Sequence, residues 1–293
     1  MKNMDKGALT NADMRSPKYK ILYGIILTGL ILYCVIAVFP VIWVLLSGFK
    51  DVKEMYAVPA TLFPKEIHYS KILKVWNEMK FYKYYVNTFK MAIIAALFDC
   101  VCSGLAGYTL SRLKPKGTKG VLMIIFWLMM VPTTMSTVPL YLQFKHMPII
   151  GVNLLDTYWP IWLMAAGNAF NIILFKNTFD GISSSLIEAA WIDGASNVKV
   201  FFRIVIPLSI PVFVVVAVFD INGQLGSFFW PYLLISDRSK TVLGVQMFKL
   251  KASDFTMDYQ MLAILFSILP QVIIFGIFQN QIMGGVNVGG VKG

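Results

Sequence analysis

The chain has 293 residues, of which 57% are hydrophobic and only 14% are charged. Soluble domains carry about a quarter charged residues, so this composition excludes a soluble globule and predicts an integral membrane protein. The net charge of +11 is spread between the apolar runs without an aromatic-interleaved basic patch. It therefore favours anionic membrane lipid over nucleic acid as the partner.

Six apolar stretches are long enough to cross the bilayer as helices of about 20 residues. They run over about 21–48, 87–111, 121–144, 159–177, 208–230 and 261–279. Single strands would leave backbone groups unsatisfied in lipid, so all six are predicted to be α-helices. The predicted organisation is an N-terminal tail over 1–20, a transmembrane domain over 21–279 and a C-terminal tail over 280–293.

Basic residues between the spans indicate an orientation. The N-terminal tail and the segment 112–119 are rich in Lys and Arg, whereas the connection between the third and fourth spans has only Lys145. This pattern predicts that both termini are cytoplasmic. The segments 49–86 and 232–260 would then be external, although they hold seven and four basic residues. Their length suggests docking surfaces, and an interfacial aromatic belt is the alternative.

The segment 179–211 is too polar to span and predicts two short amphipathic helices separated by a tight bend. Ser185 and Glu188 fit a capping box at the start of the first helix. Gly194 suits the left-handed position that ends it, and Ser196 is expected to cap the second helix. Pro207 is expected to mark the turn of the chain back toward the membrane.

Small side chains leave this segment flat enough for close approach of another protein, at Ala189, Ala190 and Ala195. Phe201 and Phe202 add apolar contact area. The alternative is a helix that lies in the membrane interface, but the first helix lacks the basic face that such helices usually carry.

A polar stripe in the fifth span is a candidate to line a polar pathway through the membrane. Asp220, Gln224 and Ser227 recur at i, i+4 and i+7, which predicts that they share one helix face. Asn222 lies on another face and Trp230 toward the outer end. Hydrogen-bonding groups beside a flat aromatic ring suit a sugar, and interhelical hydrogen bonding that only holds the bundle together is the alternative.

Other polar positions within the spans have the same two interpretations. Asn168 and Asn171 are one turn apart in the fourth span and are candidates to line the same pathway. Asp99 and Ser103, one turn apart in the second span, either pack against another helix or serve transport. The polar stretch 132–139, with a proline at each end, is either a gate or a kink.

No catalytic or metal site emerges from the sequence. A G-x-x-x-x-G-K-[ST] motif is absent, so the chain has no P-loop for nucleotide phosphates. His68 and His146 are far apart, and Cys34, Cys100 and Cys102 lie in apolar runs without the spacing of metal ligands. We therefore expect a non-enzymatic chain with no metal and no cofactor of its own.

The order of motifs resembles a known family. Glu188-Ala189-Ala190, followed by Gly194 and then Ile206-Pro207, resembles the cytoplasmic coupling loop, or EAA motif, of binding-protein-dependent ABC importer permeases. Further fragments, in chain order, are similar to the carbohydrate-uptake branch: Gly107-Tyr108, Leu110–Arg112, Pro132, Pro139–Tyr141, Asp156–Tyr158, Ile192–Ser196 and Phe201–Ile204. The C-terminal Gly285-Val286 and Gly289–Gly293 are similar to the end of the second permease of maltose-type importers. The family often has a Trp-Asn pair where this chain has Leu225-Gly226.

The resemblance implies an all-α, six-helix permease of the type I ABC importer kind, in a prokaryotic cytoplasmic membrane. It implies a second homologous permease, two cytoplasmic ATPase subunits that bind ATP and Mg, an extracellular or periplasmic solute-binding protein, and a sugar or oligosaccharide substrate. The residues implied in ATPase coupling are Glu188, Ala189, Ala190, Asp193, Gly194, Ala195, Phe202 and Pro207, with Gly290 and Lys292 as a C-terminal contact.

Three alternatives remain open at the level of sequence. An ion-gradient-driven secondary transporter often has an inverted repeat, and no convincing repeat relates the two halves of this chain. A permease for a non-sugar solute and a membrane-embedded enzyme or assembly factor are the other two.

Overall fold

The computed structural model describes residues 17–148, 151–250 and 255–288, and the regular elements within them are helices. In chain order these are α1 (Pro17–Gly48), α2 (Val52–Met55), α3 (Tyr69–Glu78), α4 (Phe81–Tyr108), α5 (Thr118–Met130), α6 (Thr137–Lys145), α7 (Trp159–Ala165), α8 (Ala169–Asp180), α9 (Ser184–Ile192), α10 (Asn197–Val200), α11 (Ile206–Leu208), α12 (Ile210–Leu225), α13 (Phe229–Leu234), α14 (Leu243–Leu250) and α15 (Met257–Val288). Two π-helical turns, Thr109–Leu113 and Phe201–Val205, and two 3₁₀ turns, Thr133–Ser136 and Arg238–Lys240, complete the set.

Three helices are long and apolar enough to cross a membrane by themselves: Pro17–Gly48, Phe81–Leu113 and Met257–Ile282. They correspond to the first, second and sixth predicted spans. Two bent pairs meet the same criterion when each is taken together, which gives up to five spans in the described part of the chain. The all-α membrane architecture is therefore confirmed, and the number six stays a prediction.

The bends have local causes. The pair Thr118–Met130 and Thr133–Lys145 is bent by 94°, because Val131 and Pro132 adopt extended backbone conformations. A residue before proline is disfavoured in the helical region, so Val131 ends the first half of the pair.

The second pair, Asn197–Leu208 and Ile210–Leu225, is bent by 80°. The sequence places this turn at Pro207, but Pro207 continues α11. The turn instead occurs at Ser209, which leaves the helical region with φ −115° and ψ 12° and is followed by Pro211 in the first turn of α12.

The fourth predicted span is two shorter helices, α7 and α8, rather than one helix over 159–177. Asn168 separates them in an extended conformation, and its side chain accepts hydrogen bonds from the backbone N–H groups of Phe170 and Asn171. The prediction of a single helix was wrong here because an asparagine in an N-cap position offers the backbone an alternative to helical continuation.

The chain divides into two compact units, of which the smaller comprises residues 1–75 and 255–265. Its described part contains a buried ion pair between Lys71 Nζ and Asp258 Oδ2 at 2.8 Å, with side chains only 8% and 7% exposed. Lys71 also donates to the carbonyl oxygen of Lys50 at 2.7 Å. These bonds tie α3 to α15 and to the residues after α1.

The larger unit comprises residues 76–254 and 266–293, and α4 is its central helix, packing against α7, α8, α12 and α14. One apolar cluster includes Tyr108, Phe175, Phe179, Ile187, Val200, Phe201, Val205, Val212 and Val216. A second includes Met91, Phe144, Tyr158, Ile161, Leu234, Ile235, Val242 and Val245. The first cluster includes buried side chains of the segment 179–211 and packs it against α4, α8 and α12.

Helices α4 and α8 approach closely at Gly107. A Cβ atom there would lie 2.7 Å from Cβ of Phe175 and 2.9 Å from the backbone nitrogen of Lys176. Only glycine permits this contact, which is the small-residue packing typical of helices in membranes.

Candidate functional site

The predicted bend between two short helices is present in the segment 179–211. Helix α9 is followed by Gly194, whose φ of +77° is the left-handed conformation expected from sequence. Ser196 then caps α10 by accepting a hydrogen bond from the backbone N–H of Lys199 at 3.3 Å. Both local predictions are confirmed.

The predicted capping box of Ser185 and Glu188 was wrong. Helix α9 begins at Ser184, so Ser185 lies inside the helix and cannot cap it, and the residue in the capping position is Ser183. The Ser183 side chain makes no capping hydrogen bond to the helix. Its hydroxyl lies 2.7 Å from that of Ser185 instead.

The residues predicted for ATPase coupling fall into two groups by exposure. Those that face out are Glu188, Ala189, Asp193, Gly194, Phe202 and Pro207, whereas Ala190 and Ala195 pack partly buried against the first apolar cluster. The most exposed large apolar side chains around the bend are Ile192 at 86%, Val198 at 66% and Phe202 at 56%. From sequence, Ile192 was singled out only as part of the resemblance and Val198 not at all, although an apolar residue beside Asp193-Gly194 is a usable signal of a contact surface.

Buried aromatic and aliphatic side chains anchor this exposed surface. Ile187, Val200 and Phe201 are at most 3% exposed, and the ring centroids of Phe201 and Tyr108 are 5.1 Å apart. Because these anchors reach the end of α4, the segment 179–211 is packed onto a candidate membrane span rather than attached by a free linker. We call it the coupling segment, after the family resemblance.

A second attachment is formed by the π-helical turn Thr109–Leu113. The Arg112 guanidinium donates hydrogen bonds to the carbonyl oxygens of Phe179 and Ile182, where the coupling segment begins. These carbonyls lie at the C-terminal end of α8, where a cation is also favoured by the helix dipole. We call this the Arg112 clamp.

Asp180 extends the clamp. Its carboxylate accepts a hydrogen bond from Ser111 Oγ at 2.6 Å and forms an ion pair with Lys176 Nζ at 2.5 Å. Burial raises the pKa of Asp180, but the hydrogen bonds from Lys176 and Ser111, together with the positive charges of Lys176 and Lys114, leave the pKa below its usual value. Asp180 is therefore ionised at neutral pH. From sequence, Leu110–Arg112 stood out only as part of the resemblance, and this role was not predicted.

A buried polar cluster joins three helices within the larger unit. Asp99 of α4 is fully buried and accepts hydrogen bonds from Ser103 Oγ and from Asn171 Nδ2 of α8. Asp220 of α12 faces Asp99, and its Oδ2 atom is buried without a hydrogen-bond partner among the described residues. We call these four residues the polar cluster.

The structure does not assemble the predicted pathway residues into one stripe. Asn171 and Asp220 lie in the polar cluster, and Asn168 caps α8. The predicted face of Asp220, Gln224 and Ser227 is shorter than expected, because α12 ends at Leu225 and leaves Ser227 outside the helix.

Two further pathway candidates lie elsewhere. Asn222 is half-buried near the end of α12, and Trp230 of α13 packs partly buried against the second apolar cluster. Contact between these residues and substrate stays a prediction. Gly290 and Lys292 lie outside the described residues, as does the contact predicted for them.

The described residues contain no group of three or more His, Cys, Asp or Glu side chains that could hold a metal ion. The segment 179–211 presents exposed apolar side chains at its bend, above a packed helix junction.

Residues 101–286 match the family described as "Binding-protein-dependent transport system inner membrane component". This match spans well over half of the chain and includes the end of α4, the coupling segment and α12. The chain belongs to this family. The predicted identity of an ABC importer permease is thereby confirmed, and the family is one of transport subunits rather than of known enzymes.

Named relatives extend over most of the chain. It is 28% identical to the galactooligosaccharides transport system permease protein GanQ of Bacillus subtilis, over 96% of this chain and 99% of that protein. It is 27% identical to the diacetylchitobiose uptake system permease protein NgcG of Streptomyces coelicolor, over 89% and 86%. It is 31% identical to the maltose/maltodextrin transport system permease protein MalG of Vibrio vulnificus, over 71% of each.

A solved structure has the same fold. It is a chain of a bacterial ABC transporter involved in the import of the acidic polysaccharide alginate, and the TM-score is 0.80 at 24% identity. The alignment covers 90% of this chain and 98% of that chain. The fold is therefore that of an ABC importer permease.

Proposed function

We propose that this chain forms one half of the translocation pathway of an ATP-driven importer for a sugar or oligosaccharide. The observation that carries the proposal is the coupling segment, which exposes Ile192, Val198 and Phe202 on a bend fixed by Gly194. A permease without a P-loop needs such a surface, because the energy must reach it through contact with another chain.

The segment 179–211 docks a cytoplasmic ATPase subunit in this account. Ile192 and Phe202 supply apolar contact, with Glu188, Ala189 and Asp193 around them. ATP and Mg are bound by that subunit. The Arg112 clamp and the Phe201 anchor support the account, because they hold the segment rigidly against α4 and α8 and so carry its displacement to the membrane helices.

Sugar transport is the substrate class that the relatives favour. Each of the three relatives described above has a sugar or oligosaccharide in its name. The pathway candidates that lie outside the polar cluster and do not cap a helix are Asn222, Gln224, Ser227 and Trp230. We assign Asp220 and Asn171 instead to the junction of α4, α8 and α12, since their neighbours are other side chains of this chain.

The remaining partners follow from the same proposal. A second homologous permease completes the pathway, with one ATPase subunit for each permease. An external solute-binding protein delivers substrate to the segments 49–86 and 232–260. Both termini are cytoplasmic, as the basic N-terminal tail and the segment 112–119 suggest.

The test is uptake by proteoliposomes that contain the transporter purified with its partner chains. Labelled oligosaccharide is supplied with its binding protein, and ATP is placed on the ATPase side. The proposal expects uptake that requires ATP and is unchanged by a protonophore or by sodium removal. Uptake that needs an ion gradient and not ATP would establish the secondary transporter instead.

A further inference from the structure

A cationic groove lies where the candidate spans Phe81–Leu113 and Thr118–Met130 are connected. Its volume is about 500 Å³. Three lysines line it, Lys114, Lys119 and Lys176, together with apolar side chains that include Leu110 and Leu122. A groove that combines ammonium groups with apolar walls is suited to a ligand that is itself both anionic and apolar.

The charge of the groove is mostly uncompensated. Lys176 is paired with Asp180 at 2.5 Å, whereas neither Lys114 nor Lys119 forms an ion pair with any described residue. Asp180 is already engaged by Lys176 and by the Ser111 hydroxyl, and Lys114 acts on it through its charge without forming an ion pair. Three positive charges against one carboxylate leave a net positive site for an anion.

The position along the chain places the groove at the level of lipid headgroups. The residues between the two candidate spans are only 114–117, so the connection stays close to the membrane surface. Net positive charge at that level attracts anionic lipid.

An apolar track leads away from the lysines along α5. Lys119, Met123 and Phe126 follow i, i+4 and i+7 and therefore share one helix face. Met123 and Phe126 are 53% and 52% exposed. A free phosphate would leave this track uncovered, whereas a phospholipid would place its headgroup against the lysines and its acyl chains along the track.

We propose that this groove is a specific binding site for an anionic phospholipid. The headgroup phosphate accepts hydrogen bonds from the ammonium groups of Lys114 and Lys119, with Lys176 nearby, and the acyl chains pack on Leu122, Met123 and Phe126. The proposal goes beyond the transport function and does not depend on which solute is carried.

The test uses the assembled transporter, purified in detergent, delipidated and titrated with phosphatidylglycerol, with retained lipid measured by native mass spectrometry. The double variant Lys114→Gln, Lys119→Gln should bind about 25-fold more weakly, since a lysine near the membrane surface contributes about 1 kcal/mol, or roughly fivefold. Lys116→Gln is the matched control, because Lys116 has the same charge in the same connection but does not line the groove. The Lys116→Gln variant should bind phosphatidylglycerol with an affinity within about twofold of the parent, because a specific site depends only on the lysines that line it.

Several outcomes would overturn the proposal. Equal losses of phosphatidylglycerol affinity in the double variant and in Lys116→Gln would indicate diffuse electrostatic attraction. Unchanged phosphatidylglycerol binding by the double variant would exclude the groove as the binding site. Phosphatidylcholine that binds as tightly as phosphatidylglycerol would exclude recognition of the anionic headgroup. Displacement of the lipid by millimolar inorganic phosphate would assign the site to a soluble anion. If the double variant lost the ATPase subunit but retained as much lipid as the parent, the lysines would belong to a protein contact.

Discussion

Replacing Gly107 with alanine should force apart α4 and α8. The new Cβ atom would lie 2.7 Å from Cβ of Phe175 and 2.9 Å from the backbone nitrogen of Lys176. Carbon atoms in ordinary contact are about 3.5–4.0 Å apart. Neither neighbour can rotate away, because one is a backbone atom and the other is attached directly to the backbone. Helix α8 must therefore shift by about 1 Å.

The expected cost follows from overpacking. Extra atoms in a packed interior that force backbone shifts cost about 1–3 kcal/mol. Gly120→Ala in α5 is the matched control, since a Cβ atom there meets nothing within 4 Å. Both substitutions change glycine to alanine in a helix, so the difference between them isolates the clash from helix propensity.

The measurement is the thermal stability of the assembled transporter in detergent, followed by its elution on size-exclusion chromatography. Gly107→Ala should melt at a lower temperature than the parent, and Gly120→Ala at an equal or higher one. Equal melting temperatures for the two variants would refute the close approach of α4 and α8 at this position.

Three further predictions concern the polar cluster and the coupling segment. Asp99→Leu should weaken the assembled complex, and a double-mutant cycle with Asn171→Leu should give a coupling energy of about 1 kcal/mol for their hydrogen bond, measured by thermal stability. Gly194→Val should place a β-branched residue at a φ of +77°, which costs about 1–3 kcal/mol of local backbone strain. Transport and stimulated ATP hydrolysis should then fall together, while membrane insertion stays normal. Arg112→Gln should raise the number of ATP molecules hydrolysed per solute transported, because the coupling segment loses a support. Arg112→Lys should return this ratio only part of the way to the parent value, since lysine lacks the forked donors of arginine.

Each of these has a contrary result. Additive effects of the Asp99 and Asn171 substitutions would remove their hydrogen bond from the account. Full uptake by Gly194→Val would contradict a docking role for the bend. An unchanged coupling ratio in Arg112→Gln, with a lower melting temperature, would reduce the Arg112 clamp to a purely structural contact.

The parts of the fold that could be predicted are those governed by local chemistry. The apolar run over 21–48 needs no partner to be helical in lipid, and α1 covers it. Gly194 and Ser196 were predictable for the same reason, since a left-handed glycine and a serine cap depend on a few neighbouring residues. The family could be predicted because its motifs recur in order along the chain.

The parts that could not be predicted depend on contacts between distant residues. Asp99 and Asn171 are 72 residues apart in sequence, so nothing local shows that they are hydrogen-bonded. The break of the fourth predicted span at Asn168 could not be predicted either, because the hydrophobicity of a run of residues does not reveal a helix N-cap within it. Ser227 fell outside its predicted face because the end of α12 was placed only by periodicity.

Cross-linking from Ile192 tests the central claim most directly, since its side chain is 86% exposed at the bend. The three native cysteines, Cys34, Cys100 and Cys102, are first replaced by serine or alanine, and Ile192→Cys carries a short photoreactive cross-linker in the assembled transporter. The account predicts a cross-link to the ATPase subunit whose yield changes when ATP is bound, and none from Lys53→Cys in the segment predicted to be external. A transporter that takes up oligosaccharide with ATP yet gives no cross-link from Ile192, or gives one from Lys53, would contradict the assignment of 179–211 as the coupling segment.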